Sequence, residues 1–250
     1  MQVKKILERI NLDSTKTYQP TLQTLQLLQQ QYMLTVPYEN LDFHLHKEFS
    51  TELSKVYDKI IIHNRGGICY ESHTLFLYLL EQLGYKAYWI FAKVEDLTYI
   101  GKDYPHLVIL VQIEGIDYLV DVANGQNVRE PMNIDDTNFI SIAEDNQYKI
   151  QYIQDRYILL VHNKQQDWFP RYSFTTEQKY QSDFKDTFKS DYKNNCATNV
   201  PLLITLAKEK GRVTMHNDIM ILKDNGTKHS WHISDHNRAE VLQEYFNITL

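Results

Sequence analysis

Apolar positions along the chain recur at two different periods, and the change between them falls near Gly84. Before it, helical spacing dominates. Residues 1–13 carry Lys4, Lys5, Glu8 and Arg9 among apolar neighbours and read as an amphipathic helix. Pro20-Thr21 opens a second helix in which Leu22, Leu25, Leu28 and Tyr32 share a face, closed before Val36-Pro37. A loop follows over residues 37–44, then a short helical piece around Leu53 to Ile62. Leu75, Phe76, Leu79, Leu80 and Leu83 predict a longer helix, with Gly84 as its left-handed stop. After Gly84 the runs Ala87 to Val94, Leu107 to Ile113, Tyr118 to Val122, Tyr148 to Ile153 and Tyr157 to His162 are short and rich in β-branched and aromatic residues. They predict strands, and Glu114-Gly115-Ile116-Asp117 predicts a hairpin turn between two of them. From about Ser173 the pattern is mixed: a helix over Val200 to Lys210, strands over Arg212 to Leu222 and Lys228 to Ile233, and a closing helix over Ala239 to Phe246. Helical, then strand-rich, then mixed order is an α+β arrangement of three lobes.

Composition narrows the functional classes. The chain has 250 residues, 43% of them hydrophobic and 23% charged, enough for a sizeable core and far from a disordered composition. A net charge of -6 argues against nucleic-acid or anionic-membrane partners, which require a basic surface. No apolar run reaches the roughly 20 residues of a membrane span, and the charged N-terminal helix is unlike a signal peptide. Two cysteines, Cys69 and Cys196, are too few for a disulfide framework or a thiolate zinc cage, so a reducing cytoplasm is expected. His229, His232 and His236 lack a carboxylate or thiolate to complete a ligand set, and no metal is expected.

The chemistry converges on Arg65-Gly-Gly-Ile-Cys-Tyr-Glu71, a glycine-bearing turn that delivers Cys69 onto the first turn of a helix. There the free N–H groups and the positive end of the dipole favour negative charge, the state in which a cysteine sulfur is nucleophilic. A small buried cysteine packing a helix start is the plainer alternative. A nucleophile needs a base, and the base an orienting partner. His106 directly precedes one strand of the expected hairpin and Asp121 lies at the end of the other. Antiparallel pairing brings those ends together, within one hydrogen bond of each other. Around them, Glu39 and Arg65 are candidates for a buried ion pair tying the glycine turn to the Pro37 loop, with a solvated pair as the alternative. Gly66 and Gly67 serve the backbone, through positive φ or close approach. Tyr38 and Phe43 are candidates for the border of a substrate pocket, or else ordinary core. Cys196 has neither a helix start nor a base beside it and reads as inert.

The set Val36-Pro-Tyr-Glu-Asn-Leu41, Arg65-Gly-Gly-Ile-Cys-Tyr-Glu71, His106-Leu-Val and Tyr118-Leu-Val-Asp-Val122, in this order, resembles the arylamine N-acetyltransferase family of bacterial type. Gly211-Arg-Val-Thr-Met and the segment 242–250 extend the likeness over nearly the whole chain. The resemblance implies an N-terminal helical bundle (1–85), a central β-barrel (86–190) and a C-terminal α/β lid (191–250), with a triad arranged as in cysteine proteases. It implies Cys69 as nucleophile, His106 as base and Asp121 as orienter in a ping-pong acetyl transfer from acetyl-CoA to a small aromatic amine or hydrazine, or to the oxygen of an N-hydroxyarylamine. It further implies no permanently bound cofactor, and a monomer or homodimer in xenobiotic metabolism. Alternatives are a related acyltransferase, amide synthase or thiol hydrolase with another donor or acceptor, and a non-catalytic binder of CoA or an aromatic metabolite. The family's Gly-Phe-Gly loop, which borders pocket and CoA pyrophosphate, reads Ala123-Asn124-Gly125 here, and His73 stands where Asn is usual. The missing aromatic removes a flat wall for an arylamine ring.

Overall fold

A helix buried on every side sets the architecture. In the computed structural model, which describes residues 1–47, 49–95, 105–123, 128–144, 146–184 and 200–249, helix α5 spans Cys69–Gln82. Residues 70–77 are all buried, so the apolar stripe seen in the sequence is only part of its contact surface. Helices α1 (Val3–Arg9), α2 (Leu22–Thr35) and α4 (Leu53–Tyr57), with the π-turn Asp58–Ile62, enclose it on one side. Strands β2 (Lys86–Val94) and β3 (His106–Ile113) pack on the other. Leu75, Phe76, Leu79 and Leu80 are fully buried, each stabilising the fold by about 1.5–3 kcal/mol over exposure. Gly84 ends the helix at φ +88 as expected. Arg9 fastens the helical part by donating to the carbonyls of Thr35 (2.6 Å), Ile60 (3.2 Å) and Arg65 (3.3 Å).

The strand-rich middle forms one eight-stranded antiparallel sheet. It adds β4 (Ile116–Val120), β5 (Met132–Asn133), β6 (Ser141–Ala143), β7 (Asn146–Ile153), β8 (Arg156–His162) and β9 (Phe169–Phe174), in the order β5-β4-β3-β2-β9-β8-β7-β6. It curls into a nearly closed barrel around Ile90, Leu110, Tyr148, Leu159 and Phe174. The expected hairpin is β3–β4. Its turn is Glu114 (φ 52) and Gly115 (φ 82), the double positive-φ geometry that matches strand twist. Strand β9 was not legible in the sequence, because Pro170 interrupts its pattern; it pairs with β8 across a register shift at Leu159/Leu160.

Two expectations for the last part are corrected. Residues 200–210 do not form a helix: Leu203–Lys208 is strand β10, paired on one side with β11 (Gly211–His216) and on the other with the two-residue β1 (Tyr38–Glu39). A short run such as Leu202-Leu-Ile-Thr-Leu-Ala207 carries no period that separates a buried strand from a helix, and here edge-to-edge pairing decides. Residues 212–222 are not one strand but two, β11 and β12 (Ile219–Asp224), turned at Asn217 (φ 54). With β13 (Thr227–His232) they form a five-stranded sheet, β1-β10-β11-β12-β13, covered by helix α7 (Arg238–Phe246). Because β1 and the short helix α3 (Leu41–His44) come from the N-terminal part, this sheet is stitched to the segment that packs against the glycine turn.

Candidate active site

The glycine turn lies against the Pro37 segment so closely that a side chain does not fit. A Cβ on Gly66 would stand 1.9 Å from the Pro37 carbonyl oxygen, and one on Gly67 would stand 2.8 Å from the Glu71 side chain. Neither glycine has positive φ, so of the two roles expected for them the structure uses close approach. Gly67 donates to the Pro37 carbonyl (3.3 Å) and Glu39 to the Gly67 carbonyl (3.2 Å), a parallel bridge that fixes the turn.

Beneath the turn is a cluster of five charges. Arg65 donates to Glu39 Oε1 from Nε (3.0 Å) and Nη2 (2.8 Å), and to Asp42 Oδ1 (2.9 Å). The π-turn presents Lys59 to Asp42 (2.6 Å) and Glu71 (2.8 Å). Glu71 in turn accepts the Ile68 N–H (3.0 Å) at the N-terminus of α5. The Glu39 and Arg65 pair is therefore buried, and wider than expected: Asp42 and Lys59 had no signal of their own in the sequence, and Glu71 stood there only as the end of the glycine-turn motif. Burial pushes the Glu71 carboxyl up to about 7 despite the pull of Lys59. Burial opposes the charge of Arg65, but Glu39 and Asp42 outweigh it and hold the guanidinium firmly protonated.

Cys69 is the first residue of α5 and half-buried. His106 opens β3, and Asp121 follows β4 directly. The register pairs Ile109 with Val120, which puts His106 and Asp121 diagonally across the end of the hairpin on one face. His106 Nε2 lies 2.8 Å from Asp121 Oδ2, both side chains fully buried. With Nε2 engaged by Asp121, the Cys69 side chain lies close enough to the ring to act on its protonation. Burial pulls the imidazole pKa down, but Asp121 and Cys69 outweigh it and raise it to about 10. Burial likewise disfavours the Asp121 carboxylate, and the His106 charge and hydrogen bond more than reverse this, holding it well below the usual carboxylate range. Asp121 also accepts from the Tyr172 hydroxyl on Oδ2 (3.1 Å) and from the Ala123 N–H on Oδ1 (3.1 Å). Sequence reasoning missed Tyr172, which sits on the strand that Pro170 concealed.

The remaining candidates divide. Phe43 is buried and Tyr38 half-buried in an aromatic cluster with Ile68, Tyr70, Leu107 and Phe184 that also packs on Cys69. Phe184, on the short helix α6 (Gln181–Phe184), stands 5.4 Å from the Tyr70 ring and 5.3 Å from Trp89. An apolar, aromatic wall therefore flanks the sulfur. Ala123 is buried, and its backbone holds Asp121. Asn124, Gly125 and Cys196 lie outside the described residues. Among the described residues, no group of three or more His, Cys, Asp or Glu is arranged to hold a metal ion, and no helix is long and apolar enough to cross a membrane.

An imidazole bound to a carboxylate, with a helix-start cysteine and an aromatic wall beside it, brings together the groups that nucleophilic cysteine chemistry requires. Comparison with known proteins gives the family. The family model described as N-acetyltransferase matches residues 21–250. The chain is similar to proansamycin X synthase of Amycolatopsis mediterranei, 26% identical over 88% of each chain. It is similar to a pineal-gland arylamine N-acetyltransferase of Gallus gallus (32%, 54% of this chain and 47% of that one) and to the Escherichia coli arylamine N-acetyltransferase (26%, 65% and 58%). The match thus spans about half the length of these last two. Among solved structures, the arylamine N-acetyltransferase of M. tuberculosis superposes with TM-score 0.85 at 25% identity over 99% of this chain and 94% of that one. That of Mycobacterium marinum in complex with CoA gives 0.83 at 23% over 99% and 93%. The chain belongs to the arylamine N-acetyltransferase family of acyltransferases.

Proposed function

We propose that the protein transfers an acetyl group from acetyl-CoA to a small aromatic amine or hydrazine through an acetyl-Cys69 intermediate. The observation that carries this is His106, bound to Asp121 at 2.8 Å with the Cys69 side chain close enough to raise its pKa. In the first half-reaction the Cys69 thiolate attacks the thioester carbonyl, with the positive end of α5 beside the developing oxyanion. The bond to the CoA sulfur then breaks, and His106 supplies the proton that CoA carries away. In the second half an amine, neutral near pH 7 and so nucleophilic, attacks acetyl-Cys69. His106 takes its proton, the C–S bond breaks, and the thiolate returns. Asp121 holds the imidazole and stabilises its charged form. An N-hydroxyarylamine is acetylated on oxygen by the same route. Tyr38 and Phe43 border the acceptor, and Ala123, whose backbone holds Asp121, opens the loop that in the family borders both the pocket and the CoA pyrophosphate, in lobes divided at 1–85, 86–190 and 191–250. Two cysteines in 250 residues support a reducing cytoplasm as its compartment.

The likeness to proansamycin X synthase over 88% of both chains favours one second reading, the same acyl-cysteine chemistry with a larger acyl donor. Incubation without acceptor separates the two. Acetyl-CoA should release one equivalent of CoA per chain and then stop until an arylamine is added. Release from longer acyl-CoA thioesters alone would instead establish the second reading. Release from none of them would overturn both.

A further inference from the structure

Asp121 has a second imidazole beside it. His73 lies one turn along α5 from Cys69 and is completely buried. Its Nδ1 is 2.9 Å from the Cys69 carbonyl oxygen, and its Nε2 is 3.1 Å from the backbone nitrogen of Val122. A backbone N–H can only donate, so Nε2 carries a lone pair and the ring proton sits on Nδ1, where it is donated to the Cys69 carbonyl. Burial lowers the His73 pKa against the pull of Asp121, which agrees with a neutral ring. The groups around it are Asp121, whose Oδ1 is 3.4 Å from Nε2, the His106 ring at 5.8 Å edge-on, the Tyr172 hydroxyl on the far oxygen of Asp121, and Trp89, whose Nε1 donates to the His73 carbonyl (3.2 Å). A charged ring would turn an Nε2–H onto Asp121 and displace the Val122 N–H, leaving that donor buried without an acceptor and drawing the carboxylate from His106.

We propose that His73 is a positioning residue. As the neutral Nδ1–H tautomer it clamps the main chain at Cys69 to the main chain at Val122, and so holds the sulfur in register with the His106–Asp121 pair. The clamp joins two elements, the first turn of the helix that carries the sulfur and the end of the hairpin that carries the imidazole and carboxylate; the Tyr70 hydroxyl, which donates to the Pro105 carbonyl (2.5 Å), ties the same two at the His106 side, and His73 ties them at the Asp121 side. The proposal rests on Cys69, His106 and Asp121 being the reacting set.

Iodoacetamide alkylation of Cys69 in the full chain tests it without any acyl donor, from about pH 5 to pH 9. The variants are His73→Phe, which fills the space without either hydrogen bond; His73→Asn, whose amide nitrogen reaches only the Cys69 carbonyl; and His73→Gln, whose amide oxygen reaches only Val122. His106→Asn is the control for the reacting set. The expected result is alkylation at neutral pH slowed about tenfold or more in His73→Phe and partly restored in each amide variant. In turnover, kcat should fall while KM for the donor stays within about twofold. If His73→Phe does not fold, the amide variants decide, since each has lost one bond. Native alkylation profiles in the folded His73 variants, alongside a changed profile in His106→Asn, would overturn the proposal and reduce His73 to packing. An unchanged profile in His106→Asn would instead place the fault in the reacting set itself.

Discussion

Two buried charge clusters lie within a few residues of Cys69, and they differ in the nature of their cations. Beneath the glycine turn, Lys59 and Arg65 face Glu39, Asp42 and Glu71. On the other side, His106 faces Asp121 and the thiol. Lysine and arginine remain charged throughout the physiological range, so the first cluster only fixes geometry, joining the Pro37 segment, the π-turn and the start of α5. An imidazole can give its proton up, so the second can do chemistry with a similar degree of burial. Equal burial with unequal cations divides support from reaction.

Breaking the reacting cluster should show the largest effect on rate. His106→Asn should lower acyl transfer by about 10²–10⁴-fold, measured by single-turnover CoA release, and should also lower the urea midpoint, because it removes the cation that faces the buried Asp121 carboxylate. Breaking the supporting cluster should act first on stability. Arg65→Ala leaves Glu39 and Asp42 with an uncompensated buried charge and should cost about 3–5 kcal/mol of unfolding free energy, with the loss visible by circular dichroism before any assay.

Titration sharpens the contrast. The pKa of His106 is raised in the folded chain to about 10 from an ordinary 6.5. Its contribution to stability is therefore full below pH 6.5 and is lost as pH rises through about 10. Urea midpoints of the native chain should fall over that window, and those of His106→Asn should fall less. The smallest effect is expected at Glu71. Its cluster holds two cations against three carboxylates, and its carboxyl is raised from 4.5 to about 7, so its proton favours the folded state fully below pH 4.5 and progressively less up to about 7. Glu71→Gln keeps an acceptor for the Ile68 N–H and balances the charge, so stability at neutral pH should change by less than about 1 kcal/mol.

Much of this was legible from local pattern. The hairpin between His106 and Asp121 followed from Glu114-Gly115 and the strand runs on each side, and Cys69 at a helix start followed from the spacing behind it. What stayed hidden depends on distant pairing. Strand β10 takes its conformation from β1 and β11, 161 residues apart in the case of the Asn40 and Pro201 contact that anchors it. Tyr172 was screened by Pro170. Lys59 meets Asp42 and Glu71 only because a π-turn re-aims it, and no periodicity announces that. The polar residues Glu71, His73 and Thr74 on a helix buried all round were the one available clue, because each had to find a partner inside.

Acylation of the sulfur itself is the most direct test of the reaction assigned to this site. After incubation with acetyl-CoA and an acid quench, intact-mass and peptide-mass measurements should find one acetyl group per chain, on the peptide containing Cys69, and none in Cys69→Ala. An unmodified chain whose Cys69 still reacts readily with iodoacetamide, or an acetyl group retained in Cys69→Ala, would contradict it.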